Sequence, residues 1–171
     1  MAESIASNRP AVDAATFRSG LGRWASGVTI VTAVGEQGPV GITASAFSSL
    51  SLEPPLVLVC VGTDGASHDD LVSADAFAVH VLGESESDLS ARFARAGTDK
   101  FGASSWSPGP LGVPLLNAGI ARFVCERHAA LSQGDHTILV GRVMHVETSP
   151  GRPLLYWSSD YRSVQEDRAL R

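Results

Sequence analysis

Hydroxyls crowd one short stretch of this chain. From Val40 to Val61 the sequence reads Val-Gly-Ile-Thr-Ala-Ser-Ala-Phe-Ser-Ser-Leu-Ser-Leu-Glu-Pro-Pro-Leu-Val-Leu-Val-Cys-Val. Thr43, Ser45, Ser48, Ser49 and Ser51 fall between two apolar runs, and Pro54-Pro55 breaks the segment before the second run. A turn of this composition exposes backbone N–H groups and small hydroxyls with no bulky side chain in the way. Such a surface suits a flat polar ligand with an anionic tail. Lys100, the only lysine, stands beside Phe101 in a Gly/Ser-rich segment. An ammonium is a good point partner for phosphate, and a neighbouring aromatic could cover a ring, although a lone loop lysine is usually just solvated. Gly134-Asp135-His136 places a histidine just past a turn, at a strand start. A residue there can point into a barrel mouth, but spacing alone favours a structural role for His136.

Other constellations carry less. Gly20-Leu-Gly-Arg-Trp-Ala25 fits G-x-G-x-x-A. That pattern binds dinucleotides only when it follows a strand and opens a helix, and here a helical pattern leads into it. Ser67-His68-Asp69 holds the three hydrolase residue types, but consecutive side chains diverge and no G-x-S-x-G elbow occurs. A helix N-terminus is the simpler reading, and one that still favours phosphate. The histidines at 68, 80, 128, 136 and 145 show no close metal-ligand spacing. His80 and His145 read as structural or exposed.

These groups need elements to position them. Ala14, Phe17, Leu21 and Trp24 recur at helical spacing, so Asp13 to Ala25 is expected to form an amphipathic helix. Strands are expected over residues 28–34, 40–47, 56–61 and 76–82. Ser67 would cap a short helix, and 87–96 a second one burying Leu89 and Phe93. Residues 97–117 read as a long loop. Two long strands follow at about 119–131 and 136–147, with Ile138, Val140, Met144 and Val146 on one face of the second. Residues 154–157 make a last short strand, before an exposed C-terminus. Many strands with few helices predict a β-barrel-like domain.

Composition bounds the function. The 171 residues suit one domain over 11–171 behind a loose tail at 1–10. With 44% apolar and 18% charged residues the chain is globular. A net charge of −5 without a basic patch argues against nucleic acid. No apolar run is long enough for a membrane span, and the N-terminus lacks a signal-peptide core. Cys60 and Cys125 lie in apolar runs and read as buried reduced thiols, which suits the cytoplasm. No disulfide framework or metal site is expected.

Taken in order, these segments resemble the flavin reductase-like family. The resemblance covers about Phe17 to Val164. It runs through Trp24-Ala-Ser-Gly-Val-Thr-Ile-Val-Thr, Gly-Ile-Thr-Ala-Ser-Ala-Phe-Ser-Ser, Ser-Leu-Glu-Pro-Pro-Leu-Val-Leu-Val-Cys-Val, and Phe77-Ala-Val-His-Val-Leu. Arg92-Phe93-Ala94, Lys100-Phe101, Glu126 and the Gly-Asp-His turn complete it. The resemblance implies an all-β, FMN-binding split β-barrel with a few peripheral helices, acting as a homodimer. It implies reduction of FMN or FAD by NADH or NADPH, and delivery of reduced flavin to a separate monooxygenase. By position, Thr43, Ala44 and Ser45 would line the flavin ring, while Ser48 and Ser49 would hold the ribityl chain or phosphate. Cys60 to Ser67, with Val61 and Gly62 among them, would follow the flavin along the next strand and turn. Lys100 and Phe101 would close over the phosphate side. His136, with Asp135, would meet the nicotinamide. The Gly65-Ala-Ser-His68 turn departs from the pattern of relatives that carry Asn or Lys before the Ser, so its contacts are less defined. A flavin-binding oxidase, a non-catalytic flavin-binding module and a serine hydrolase using Ser67 are the rival readings.

Overall fold

The computed structural model describes residues 11–97 and 99–165, so the expected tail at 1–10 lies outside the described residues. The chain opens with α1 (Ala14–Leu21), followed by β1 (Ser26–Gly27), β2 (Thr29–Gly35) and β3 (Gly38–Ala44). A two-residue corner, Ser45-Ala46, leads into β4 (Phe47–Leu52), and β5 (Pro55–Gly62) returns from it. Then come α2 (His68–Ser73), β6 (Ala76–Val81) and α3 (Ser87–Ala94). A small hairpin of β7 (Trp106–Pro108) and β8 (Pro114–Leu116) precedes the long strands β9 (Ala121–Gln133) and β10 (His136–Thr148). β11 (Leu154–Trp157) and β12 (Asp160–Ser163) end the described chain.

The main sheet has the order β3-β2-β6-β9-β10-β5-β4, and every ladder is antiparallel. One apolar cluster joins Val31 of β2, Ala44 of β3, Val59 of β5, Phe77 of β6, Cys125 of β9 and Leu139 of β10. A flat sheet could not bring residues from so many strands together, so the sheet curls around this core. It stays open where its edges β3 and β4 meet the Ser45-Ala46 corner: those strands are consecutive in the chain but share no ladder. The result is a split barrel rather than a closed one. A smaller sheet, β1-β11-β12, lies beside it.

A second cluster joins Ile30, Leu82, Phe93, Phe101 and Leu116 and fixes α3. Burying a side chain such as Phe93 contributes about 1.5–3 kcal/mol. Gly41 makes the contact possible, because a Cβ there would stand 2.8 Å from the Phe93 ring. His80 is buried between the strands. Its Nδ1–H donates to the Ile30 carbonyl at 3.1 Å, and its Nε2 accepts from the Leu116 amide at 3.1 Å. Burial pushes its pKa down to about 4.

Several expectations change. Helix α1 stops at Leu21, short of Ala25, where Gly20 and Gly22 weaken helical propensity. Its apolar face does not enter the core: Phe17 is 60%, Leu21 54% and the following Trp24 76% exposed. Ser48, Ser49 and Ser51 belong to strand β4; the chain bends at Ser45-Ala46 and turns at Glu53-Pro54. Ser67 stands at the α2 N-cap without a capping side-chain bond. The 97–117 segment contains β7 and β8, and β12 forms within the C-terminal stretch, which is exposed as expected apart from half-buried Tyr161. In β10, register shifts after Val140 and Val143 break the simple alternation. Thr137, Leu139, Val140 and Gly141 are buried, while Met144 and Val146 are exposed.

Candidate functional site

The split between β3 and β4 is flanked by two cavities. The first, about 550 Å³, is walled by Gly41, Thr43, Gly62, Ser67, His68 and Lys100, among others. The second, about 590 Å³, is walled by Ser45, Ser48 and Cys60 together with Trp24, Tyr156 and Trp157. They adjoin along the chain at two places. Thr43 faces the first cavity and Ser45 the second; Val61 and Gly62 face the first, Cys60 the second. Residues expected to share one ligand therefore lie on both sides of a narrow ridge formed by the β3–β4 corner and the end of β5.

The individual side chains refine that picture. The Thr43 hydroxyl is committed to the Ser90 carbonyl at 2.6 Å, so it presents its methyl and backbone to the cavity. Ala44 is buried in the core and lines neither cavity, because its side chain points inward from the corner. Ser48 donates to the Ser49 carbonyl at 3.1 Å, and exposed Ser49 lines neither cavity. Val61 is buried and contributes wall rather than polar contact. Phe101 reaches the first cavity, but its ring is wedged edge-on against Phe93 and Trp106, with centroids 5.3 and 5.7 Å away. Held this way, it forms part of the cavity wall.

Lys100 is half-buried, and its Nζ donates to the Gly41 carbonyl at 2.9 Å. Burial lowers its pKa from the ordinary lysine value. No carboxylate pairs with it among the described residues. The ammonium is thus fixed in a cavity wall and can still take an anionic partner.

His136 starts β10, opposite Gly62 in the β10–β5 ladder, and lines neither cavity; its Nε2 lies 3.8 Å from where a Cβ on Gly62 would stand. Its Nδ1 bonds Asp135 Oδ1 at 2.7 Å, and that bond holds the Asp135 carboxyl below the usual carboxylate range. The carboxylate can only accept, so Nδ1 carries hydrogen and Nε2 of the neutral ring offers a lone pair. His68, whose importance sequence reasoning missed, bonds Asp69 through Nδ1 at 2.8 Å and Thr137 through Nε2 at 2.9 Å. Both ring nitrogens are engaged away from Ser67. The base that a serine nucleophile would need is therefore occupied elsewhere, which removes the support for a hydrolase.

Trp24, Tyr156, Trp157, Asp64 and Arg95 were also missed as cavity residues. Trp24 belongs to a family segment and Asp64 to the 60–67 stretch, but neither was singled out, and Arg95, Tyr156 and Trp157 lie in segments with no motif. Both thiols are free, and burial pushes Cys125 up to about 12. No group of metal-ligating side chains gathers among the described residues.

The arrangement offers small residues along the ridge, a fixed cation on one side, aromatic walls on the other and an imidazole acceptor beside Gly62. The profile of the flavin reductase-like domain matches residues 21–165. The chain belongs to the flavin reductase-like family. Among relatives of this flavin reductase-like protein, the FMN reductase (NADH) SmoA of Agrobacterium fabrum is 43% identical over 141 residues, covering 82% of this chain and 80% of SmoA. HsaB of Mycobacterium tuberculosis, the reductase subunit of a flavin-dependent monooxygenase, is 36% identical over 160 residues, covering 92% and 86%. The solved NADH:FAD oxidoreductase SgcE6 of Streptomyces globisporus, in complex with NAD and FAD fragments, superposes with a TM-score of 0.85 at 36% identity, covering 92% and 96%.

Proposed function

We propose that this flavin reductase-like protein oxidises NADH, reduces free FMN or FAD, and supplies the reduced flavin to a separate monooxygenase. The carrying observation is the ridge itself. Thr43, Ser45, Cys60 and Gly62 gather small side chains where the two cavities adjoin, with Lys100 fixed on one side. The residues fit a flavin: a planar ring needs close backbone approach, and a phosphate needs a cation. The names of SmoA, HsaB and SgcE6 point the same way.

When bound, the flavin supplies the atom that accepts hydride from the nicotinamide. The protein's share is positioning. The corner at Thr43–Ser45 and the end of β5 allow the ring to lie close to backbone. Lys100 holds the phosphate, and Ser67 adds a hydroxyl near it. Trp24, Tyr156 and Trp157 exclude water from the other side. His136, oriented by Asp135, takes the nicotinamide carboxamide. No nucleophile is required, which agrees with the engagement of His68 by Asp69 and Thr137.

The active form in this reading is a homodimer. Phe17, Leu21, Trp24, Leu50 and Leu52 expose large apolar surface beside the second cavity and the β4 edge. A twofold partner would cover it. The place of work is the cytoplasm, consistent with two free thiols. No helix among the described residues is long and apolar enough to cross a membrane.

Steady-state assays test the function. NADH consumption should require added FMN or FAD and saturate in both. Oxidation of NADH that ignores added flavin would contradict it. An oxidase acting on its own small substrate would reduce bound flavin without NADH, and a storage module would bind flavin without turnover.

A further inference from the structure

The backbone beside Gly62 is bare, and two acceptors face it. A Cβ on Gly62 would stand 3.1 Å from Asp64 Oδ1 and 3.8 Å from His136 Nε2. Asp64 makes no hydrogen bond or ion pair among the described residues. The His136 ring is fixed in the opposite sense, with its Nδ1 on Asp135 at 2.7 Å. Asp135 itself is anchored, because its carbonyl accepts from the Thr63 amide at 3.0 Å and from Thr63 Oγ1 at 3.1 Å. The turn therefore presents a carboxylate oxygen and an imidazole lone pair toward one small space, with backbone as the floor.

Two acceptors around one space match two donors on one atom. A primary carboxamide carries them on its –NH2, whereas a ketone, an ester or a carboxylate carries none. We propose that Asp64 and His136 together bind the –NH2 of the nicotinamide carboxamide, and that Asp64 is a specificity-determining residue for the hydride donor. It rests on the reductase reading given above. Asp135 is a positioning residue in this scheme, since it keeps hydrogen off Nε2. Gly62 keeps the space open, and any side chain there would meet Asp64 first.

Discrimination of this kind shows only against a donor that lacks the N–H groups, because unpaired acceptors then oppose binding. Reduced 3-acetylpyridine adenine dinucleotide keeps the carbonyl and loses the amine. The test compares it with NADH at saturating FMN, for wild type, Asp64→Ala and Asp64→Asn. Each variant is referred to wild type with the same donor, so intrinsic differences between donors cancel. Asp64→Ala should lower kcat/KM for NADH about tenfold, mainly through KM, and leave the analogue unchanged or raise it. Asp64→Asn, whose amide oxygen still accepts, should recover most of the loss with NADH. Equal losses with both donors, or no loss with NADH, would overturn the proposal. Nitrogen-15 NMR of the free protein gives an independent readout: His136 should carry hydrogen on Nδ1, and hydrogen on Nε2 would overturn it. Failure of wild type to oxidise either donor with FMN, FAD or riboflavin would instead overturn the reductase reading beneath it.

Discussion

His80 should make the stability of this protein fall steeply in mild acid. Its ring donates from Nδ1 to the Ile30 carbonyl and accepts at Nε2 from the Leu116 amide. Protonation would put an N–H where Leu116 already offers one. Burial and the positive charge of Arg122 oppose the charged ring, so its pKa falls from 6.5 to about 4. A base whose folded pKa lies below its unfolded value stabilises the fold fully above the unfolded pKa. That contribution is lost as pH falls from about 6.5 toward about 4, because the unfolded chain then binds the extra proton. A shift of that size corresponds to about 3 kcal/mol, a large share of a typical domain's stability. The perturbation is His80→Asn, whose amide can still donate to Ile30 but does not titrate. Urea unfolding of both proteins, followed by tryptophan fluorescence between about pH 7.5 and about pH 4.5, isolates the term, since other titrating groups cancel in the difference. Wild type should lose stability relative to the variant by about 1.4 kcal/mol per pH unit inside the window. Parallel pH profiles would refute the reasoning, as would a His80 ring resonance titrating near its ordinary value.

The remaining predictions concern the site and the assembly. Lys100→Ala should weaken FMN binding by about 1.5–3 kcal/mol and leave riboflavin, which lacks the phosphate, nearly unchanged; equal losses in titration calorimetry would remove the phosphate role. His136→Ala should lower kcat/KM for NADH about 10- to 100-fold while flavin Kd changes less than a few-fold, and steady-state kinetics with fluorescence titration would show whether flavin affinity falls instead. Light scattering should find a homodimer at micromolar concentration, and Trp24→Glu should dissociate it; an active wild-type monomer would contradict the covered-face argument.

Much of the fold could be read from the sequence because burial there is local and periodic. The β-branched runs that became β2, β5 and β6 announce themselves, and so does the hairpin at Gly134-Asp135. The α1 face could not be read. Helical spacing shows that Phe17, Leu21 and Trp24 share a side, but not whether that side meets the protein's own core or another chain. Met144 and Val146 misled because register shifts in β10 change which face a given parity occupies. Hydroxyl density suggested a turn at Ser48 and Ser49, whereas pairing with Leu58 and Val57 of β5 draws both into β4.

The candidate site was legible in its motifs and not in its walls. Thr43, Gly62 and Lys100 line the first cavity, and His136 stands across the ladder from Gly62. Ala44 and Phe101 were drawn inward by packing that no short motif reveals. The contact of His68 with Thr137 and the approach of Asp64 and His136 to Gly62 follow from the pairing of β5 and β10, and Tyr156 and Trp157 joined the site only when the small sheet was placed beside α1.

One measurement bears most directly on the central claim. Under anaerobic conditions, NADH and NADPH are titrated into the protein with FMN, FAD or riboflavin while the flavin absorbance is followed. The account predicts that NADH bleaches added FMN or FAD in a one-to-one ratio, at a rate proportional to protein concentration. Bleaching no faster than in a protein-free control, for all three flavins and both donors, would contradict it.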